Sequence, residues 1–231
     1  MTVPRDTDRA MFTPSHRGGS GPPLVLLHGF LESWRSWELV LPALERRHDV
    51  LAVTLAGHAG GPPIEGEATA AAVLDALERA MDEAGFVTAH VAGNSLGGYA
   101  ALKLAERGRA RTVVALAPAG GWAEEDEDHR DVLAFQAGLL AHQMRAVAAC
   151  SAGPAMIENA RRTGWPLDPE LIACPVRIVW GTEDRLLEWP RAAARYRRWL
   201  PNADWIELEG VGHAPQLDVP LETAQLILGF T

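Results

Sequence analysis

Ser95 lies in Gly93-Asn94-Ser95-Leu96-Gly97, between the apolar run Ala89-His90-Val91-Ala92 and the helix-forming stretch Tyr99-Ala100-Ala101-Leu102-Lys103-Leu104-Ala105. A serine with glycine two residues away on both sides, at a predicted strand-to-helix junction, is the pattern of a nucleophile carried on a sharp turn. Such a turn forces the serine into a strained backbone region, and only residues without a Cβ fit beside it. Its Oγ is then expected at the carboxyl end of a sheet. There it meets the amino end of a helix, whose dipole favours negative charge.

A serine hydroxyl is a weak nucleophile until a base takes its proton and an acid orients that base. The chain supplies both downstream, in the order Ser…Asp…His. Asp184 lies in Trp180-Gly181-Thr182-Glu183-Asp184-Arg185, just after a predicted strand, with Glu183 as the rival acid; motif position favours Asp184. His213 lies in Gly210-Val211-Gly212-His213-Ala214-Pro215, after the next strand, which ends at Leu208. Both are expected at strand carboxyl ends, on the same rim as Ser95. The seven other histidines have duller roles. His16, His48, His129 and His142 fall in polar or helical contexts and read as surface or lid residues. His90 sits inside the strand before Ser95 and reads as packed, while His28 and His58 open loops whose backbone they can hold by hydrogen bonds.

The oxyanion that forms in acyl transfer needs N–H donors, each worth roughly 3–4 kcal/mol of barrier. One is expected from the Leu96 backbone at the head of the helix. The other is expected from the Phe30 backbone in Leu27-His28-Gly29-Phe30-Leu31, where Gly29 allows close approach to a ligand. The side chains of Phe30 and Leu96 would then form pocket wall. Trp34, Trp122, Phe135, Leu139 and Met144 are further candidates to line it, though each residue type more often packs in a core.

These loops need a scaffold, and the spacing supplies one. Short apolar runs alternate with helical patterns, which predicts an α/β fold: a mostly parallel sheet with helices on both faces. The predicted strands are Leu24 to Leu27, Val50 to Leu55, Ala89 to Gly93, Thr112 to Ala117, Val176 to Trp180 and Asp204 to Leu208. The predicted helices run from about Trp34 to Arg46, Glu67 to Glu83, Arg191 to Leu200 and Leu221 to Phe230. Residues 121–173 break the alternation. Their acidic opening Glu124-Glu125-Asp126-Glu127-Asp128 leads a helical stretch through Val147, and a shorter helix follows from Ala155 to Arg162. Helices inserted between two strands at that end of the sheet read as a lid. The expected organisation is a poorly ordered segment 1–20, a core of 21–120 and 174–231, and the lid 121–173.

Bulk properties narrow the partners. A length of 231 residues with 48% hydrophobic and 22% charged residues suits a soluble globular chain with a sizeable core. A net charge of −9 argues against a nucleic-acid partner. The cluster Arg191, Arg195, Arg197 and Arg198 reads as a solvated helix face. Two cysteines make neither a disulfide framework nor a paired metal motif. The polar start lacks a signal-peptide core and no stretch approaches 18 apolar residues, so no membrane span and a cytoplasmic setting are expected.

On these residues the chain resembles the α/β-hydrolase superfamily from Leu24 to Phe230. The matching motifs are His28-Gly29-Phe30, Gly57-His58, Gly93-Asn94-Ser95-Leu96-Gly97-Gly98, Gly181-Thr182-Glu183-Asp184 and Gly212-His213. The resemblance implies a capped sheet and a serine hydrolase that forms an acyl-enzyme without metal or organic cofactor. The chain departs from the family in three places. A long hairpin usually precedes the His-Gly loop, whereas only 23 residues precede Leu24, so loss of one or both leading strands is expected. The usual Asp-x-Pro-Gly-His-Gly is replaced by Thr54-Leu55-Ala56-Gly57-His58-Ala59, and the lid is short.

The expected function is hydrolysis of carboxylic esters of small to medium apolar substrates by Ser95, His213 and Asp184. Thioester, lactone, amide or carbon–carbon bond cleavage could use the same three residues. A non-catalytic ligand receptor on the same fold is the reading from another class, and an intact triad weighs against it. A halide-releasing dehalogenase is disfavoured, because that chemistry needs a carboxylate where Ser95 stands.

Overall fold

The computed structural model describes residues 15–120, 150, 152–187 and 189–231. Among the described residues seven strands form one sheet: β1 (Ser15–Gly19), β2 (Pro23–Leu27), β3 (Asp49–Val53), β4 (Ala89–Asn94), β5 (Ala110–Leu116), β6 (Val176–Gly181) and β7 (Asp204–Leu208). Their order is β1-β3-β2-β4-β5-β6-β7. β1 runs antiparallel to β3 and every other pairing is parallel.

The continuous apolar runs are what a parallel sheet buried on both faces demands. Alternate residues of one strand serve opposite cores. Val25 and Leu27 of β2, Val113 and Ala115 of β5, and Ile178 and Trp180 of β6 join the larger cluster. Leu24, Leu26, Val114, Leu116 and Val179 join the other. Helices α2 (Ala70–Glu83), α3 (Leu96–Glu106) and α5 (Arg191–Trp199) close the first face with Leu74, Leu77, Leu102, Leu104 and Tyr196. Helices α1 (Leu41–Leu44) and α7 (Pro220–Leu228) close the second with Leu41, Leu44 and Ile227.

Several expectations need correction. Ser15–Gly19 is not part of a poorly ordered start: it pairs along the whole of β3, whose outer edge would otherwise leave its N–H and C=O groups unbonded. One leading strand is therefore present. The single helix expected from Trp34 to Arg46 divides into a 3₁₀ turn, Trp34–Trp37, and α1, because Pro42 is tolerated only in a first turn. The last helix, α7, lies close to its expected span, and a short helix not expected from the sequence, α6 (Pro215–Asp218), precedes it. Arg195 is buried against the core rather than solvated, whereas Arg197 pairs with Glu207 and stacks on Trp205.

Of the segment 121–173, the described part contains α4 (Gly153–Thr163), close to the expected short helix, ended by Gly164 in the left-handed conformation (φ 68°). The longer lid helix, with Trp122, Phe135, Leu139 and Met144, lies outside the described residues, as do His129 and His142. Among the described residues no helix is long and apolar enough to cross a membrane.

Candidate active site

Ser95 occupies the turn between β4 and α3 with φ 54° and ψ −117°, a strained conformation for a residue with a side chain. It is 2% exposed. Main-chain bonds hold it there. Its N–H donates to the Leu116 carbonyl (2.9 Å), and its own carbonyl accepts from the Tyr99 and Ala119 N–H groups (3.0 Å each). The flanking glycines are required by space. A Cβ on Gly97 would lie 2.1 Å from the Leu27 carbonyl oxygen, and one on Gly93 would lie 2.1 Å from that of Gly97. α3 thus begins pressed against the end of β2, beside the His28 loop. The Leu96 N–H, in the first turn, has no carbonyl from a preceding turn to meet.

Asp184 and His213 come together on the loops after β6 and β7. Those loops are laced by Thr182 N–H to the Leu208 carbonyl (3.0 Å) and Glu183 N–H to the Val211 carbonyl (2.9 Å). A Cβ on Gly181 would fall 2.2 Å from the Val211 carbonyl oxygen, so this approach admits only glycine. The outcome is a 2.7 Å bond between His213 Nδ1 and Asp184 Oδ2. Asp184 also accepts from Trp180 Nε1 (3.0 Å) and from the Leu186 and Leu187 N–H groups (2.9 and 3.1 Å). Burial alone pushes the Asp184 carboxyl up. The His213 bond and charge, with the two backbone donors, outweigh it and hold Asp184 below its ordinary range. An ionised acceptor there keeps the imidazole proton on Nδ1, leaving the Nε2 lone pair outward. His213 Nε2 is buried and makes no hydrogen bond among the described residues. Glu183, the rival acid, is exposed and pairs with Arg185.

A carboxamide pair couples this arm to the turn. Asn94, the residue before Ser95, donates to the His213 carbonyl (2.9 Å) and to that of Leu116 (3.1 Å). Gln216 Nε2 donates in turn to Asn94 Oδ1 (3.1 Å). Both are buried. Neither was singled out by sequence reasoning, although Asn94 is the variable position inside the serine motif and Gln216 follows His213 by three.

In the loop after β2, His28 holds backbone by hydrogen bonds, as expected. His28 is fully buried; its Nε2 accepts from Leu55 N–H (2.9 Å), so its Nδ1–H donates to the Gly29 carbonyl (2.6 Å). Burial and the neighbouring His58 hold His28 neutral. Burial also brings His58 down to about 4, and its ring meets Phe30 edge-on at 5.6 Å. A Cβ on Gly153 of α4 would lie 3.4 Å from the Phe30 ring and 3.6 Å from the Leu31 side chain, so the start of α4 lies beside this loop. Glu32, also unsuspected from sequence, accepts from Gly29 N–H (3.0 Å). Trp34 is not pocket wall: it packs in the second core, stacked on His16 at 5.0 Å. His48 is buried rather than on the surface, with its Nδ1 against the Pro22 carbonyl (3.2 Å). Among the described residues no cluster of metal-ligating side chains occurs.

Comparison with known proteins identifies the family and the fold. The model of the "Alpha/beta hydrolase family" matches residues 24–226. Epoxide hydrolase EphH of Mycobacterium tuberculosis is 30% identical over 202 residues, covering 70% of this chain and 94% of the relative. A bacterial membrane phospholipase A superposes with a TM-score of 0.78 at 26% identity, over 93% of this chain and 80% of its own. A thermophilic esterase from Thermogutta terrifontis does so with 0.75 at 20% identity, over 93% and 91%.

Proposed function

This chain belongs to the alpha/beta hydrolase family, and from that premise we propose that it is a serine hydrolase cleaving carboxylic esters of small to medium apolar substrates. The observation that carries the reading is the buried Asp184–His213 bond of 2.7 Å, on a loop held by Asn94, the residue before a strained, buried serine.

In this mechanism Asp184 keeps the His213 proton on Nδ1, so Nε2 takes the proton of Ser95 Oγ as that oxygen attacks the ester carbonyl. The tetrahedral oxyanion is met by the Leu96 and Phe30 backbone N–H groups. His213 then returns the proton to the leaving alcohol, leaving an acyl group on Ser95. Water, deprotonated by His213, attacks that acyl group and releases the acid. The Ser95–His213 hydrogen bond closes when substrate fills the site, as catalytic bonds commonly tighten in the Michaelis complex. No metal or organic cofactor takes part.

The name of the mycobacterial relative raises epoxide opening, and the chemistry of Ser95 weighs against it here. A carboxylate that opens an epoxide forms an ester, which activated water can hydrolyse. An alcohol oxygen would instead form an ether, and the enzyme would stall after one turnover. The same reasoning disfavours halide displacement. A decisive experiment reacts the protein with a fluorophosphonate and with p-nitrophenyl esters of graded chain length, a thioester and a lactone alongside. Stoichiometric labelling of Ser95, lost in His213→Ala, and ester turnover lost in Ser95→Ala are expected. Hydrolysis undiminished in Ser95→Ala would overturn the assignment.

A further inference from the structure

The loop after β2 carries a carboxylate that the mechanism above leaves unused. We propose that Glu32 is a positioning residue for that reaction, holding the Gly29 amide of the oxyanion loop and serving as a second counter-charge to the His213 imidazolium. This rests on the reading of Ser95, Asp184 and His213 as the catalytic set.

Three observations converge on it. Glu32 Oε2 accepts from Gly29 N–H at 3.0 Å, while the Gly29 carbonyl accepts from Glu32 N–H at 3.3 Å, so the two residues close the turn that presents Phe30. A Cβ built on Gly29 would lie 3.2 Å from Glu32 Oε2 and 3.3 Å from Asn94 Oδ1, which puts the carboxylate and the Asn94 amide on one side of the loop. Asn94 in turn holds the His213 carbonyl. The third observation is electrostatic. Burial pushes the Glu32 carboxyl up and outweighs the Gly29 N–H, the Ser36 hydroxyl and the charge of His213, which favour its charged form, so the group stands above its ordinary range.

Among the described residues Glu32 has no lysine or arginine partner. Among the described residues, the other titratable groups on the elements that meet here are Asp184 on Nδ1, Asp218 of α6, which accepts from Gly212 N–H at 3.0 Å, and the neutral His28 and His58 beside the Phe30 loop. Glu183 and Arg185 pair with each other at the surface. A charge on Glu32 is therefore under-compensated while His213 is neutral, in keeping with a carboxyl held above its ordinary range by burial. It becomes compensated when the Ser95 proton arrives on Nε2. An interaction stronger in the transition state than in the ground state is one that accelerates the chemistry.

The test is Glu32→Gln, which keeps the size and an acceptor oxygen for Gly29 N–H but removes the charge. The His213 imidazole is titrated by NMR in wild type and variant, both carrying Ser95→Ala, so that no turnover is needed. The imidazolium pKa is expected to fall by about half a unit to one unit. With Ser95 intact, kcat should fall about tenfold with KM within about twofold, and the acid limb of kcat/KM should move to lower pH by the same shift. An unchanged His213 titration in a folded Glu32→Gln protein would overturn the proposal. A second measurement covers a variant that fails to fold: the Glu32 carboxyl, followed in wild type, should titrate higher in His213→Gln, and an unmoved value again overturns it. Both titrations are independent of catalysis. Failure of Ser95 labelling would sink the functional reading, whereas failure of these shifts would sink only the role of Glu32.

Discussion

The turn that carries Ser95 and the arm that carries His213 and Asp184 are positioned by different means. Ser95 is fixed by main chain: a strained φ of 54°, three backbone hydrogen bonds, and glycines whose neighbours leave no room for a Cβ. His213 is fixed largely by side chains, through Asp184, the Asn94 amide and, behind it, Gln216. One device is built into the fold and stands or falls with it. The other is a set of hydrogen bonds that can be edited while the fold survives. Damage to the turn should therefore register first as lost stability, and damage to the arm first as lost rate.

Asp184→Asn strikes the arm and carries the largest expected effect. With an amide in place of the carboxylate the imidazole loses its tautomer and its counter-charge, a change worth about 10⁴-fold in kcat, or roughly 5–6 kcal/mol of barrier. The urea midpoint should move far less than that. Glu183→Gln, in a residue exposed and paired with Arg185, should leave kcat within about twofold. Ester kinetics on both variants check the contrast, and a collapse in Glu183→Gln alone would transfer the acid's role to Glu183.

Gly97→Ala strikes the turn. The added methyl would meet the Leu27 carbonyl oxygen at 2.1 Å, backbone against backbone, with no flexible side chain able to swing aside. Overpacking of this kind costs typically 1–3 kcal/mol and here should reach about 3 kcal/mol or more. Urea titration reads it as a lower midpoint at unchanged slope. A variant of wild-type stability that had lost only its activity would erase the distinction between the two regions.

What the sequence could and could not disclose follows the same division. Main-chain devices leave marks on residue type, because only glycine fits where backbones touch, so Gly93, Ser95 and Gly97 could be read in one dimension. The strand runs were legible for a related reason: a sheet buried on both faces needs unbroken apolar residues. Side-chain networks leave no such mark. Asn94 and Gln216 meet through long-range folding, Glu32 bonds a glycine three residues before it, and nothing in their spacing separates them from ordinary polar residues. β1 was missed because Ser15-His16-Arg17-Gly18-Gly19 has no apolar run. It is an edge strand whose pairing with β3, rather than its side chains, makes it a strand. The helix expected from Trp34 to Arg46 is divided because helical periodicity runs through Pro42, where the missing N–H and fixed φ force a restart.

Trp180→Phe offers the smallest effect and the sharpest division of terms. It removes one N–H donor from Asp184 and a little volume from a fully buried site. The cavity term is independent of pH, whereas the bond to the carboxylate is not. Asp184 titrates below its ordinary range in the folded protein, so its contribution to stability is full above the unfolded-state value and is lost as pH falls through the folded one. Loss of a donor to the charged form raises the folded value toward ordinary and shrinks that contribution. The variant should therefore be about 1–2 kcal/mol less stable than wild type above about pH 5, with the deficit narrowing on acidification until only the cavity term remains. Urea midpoints measured from pH 7 down to pH 3 separate the two. A deficit constant across that range would assign the whole effect to packing, and Trp180 would then have no part in holding the acid ionised.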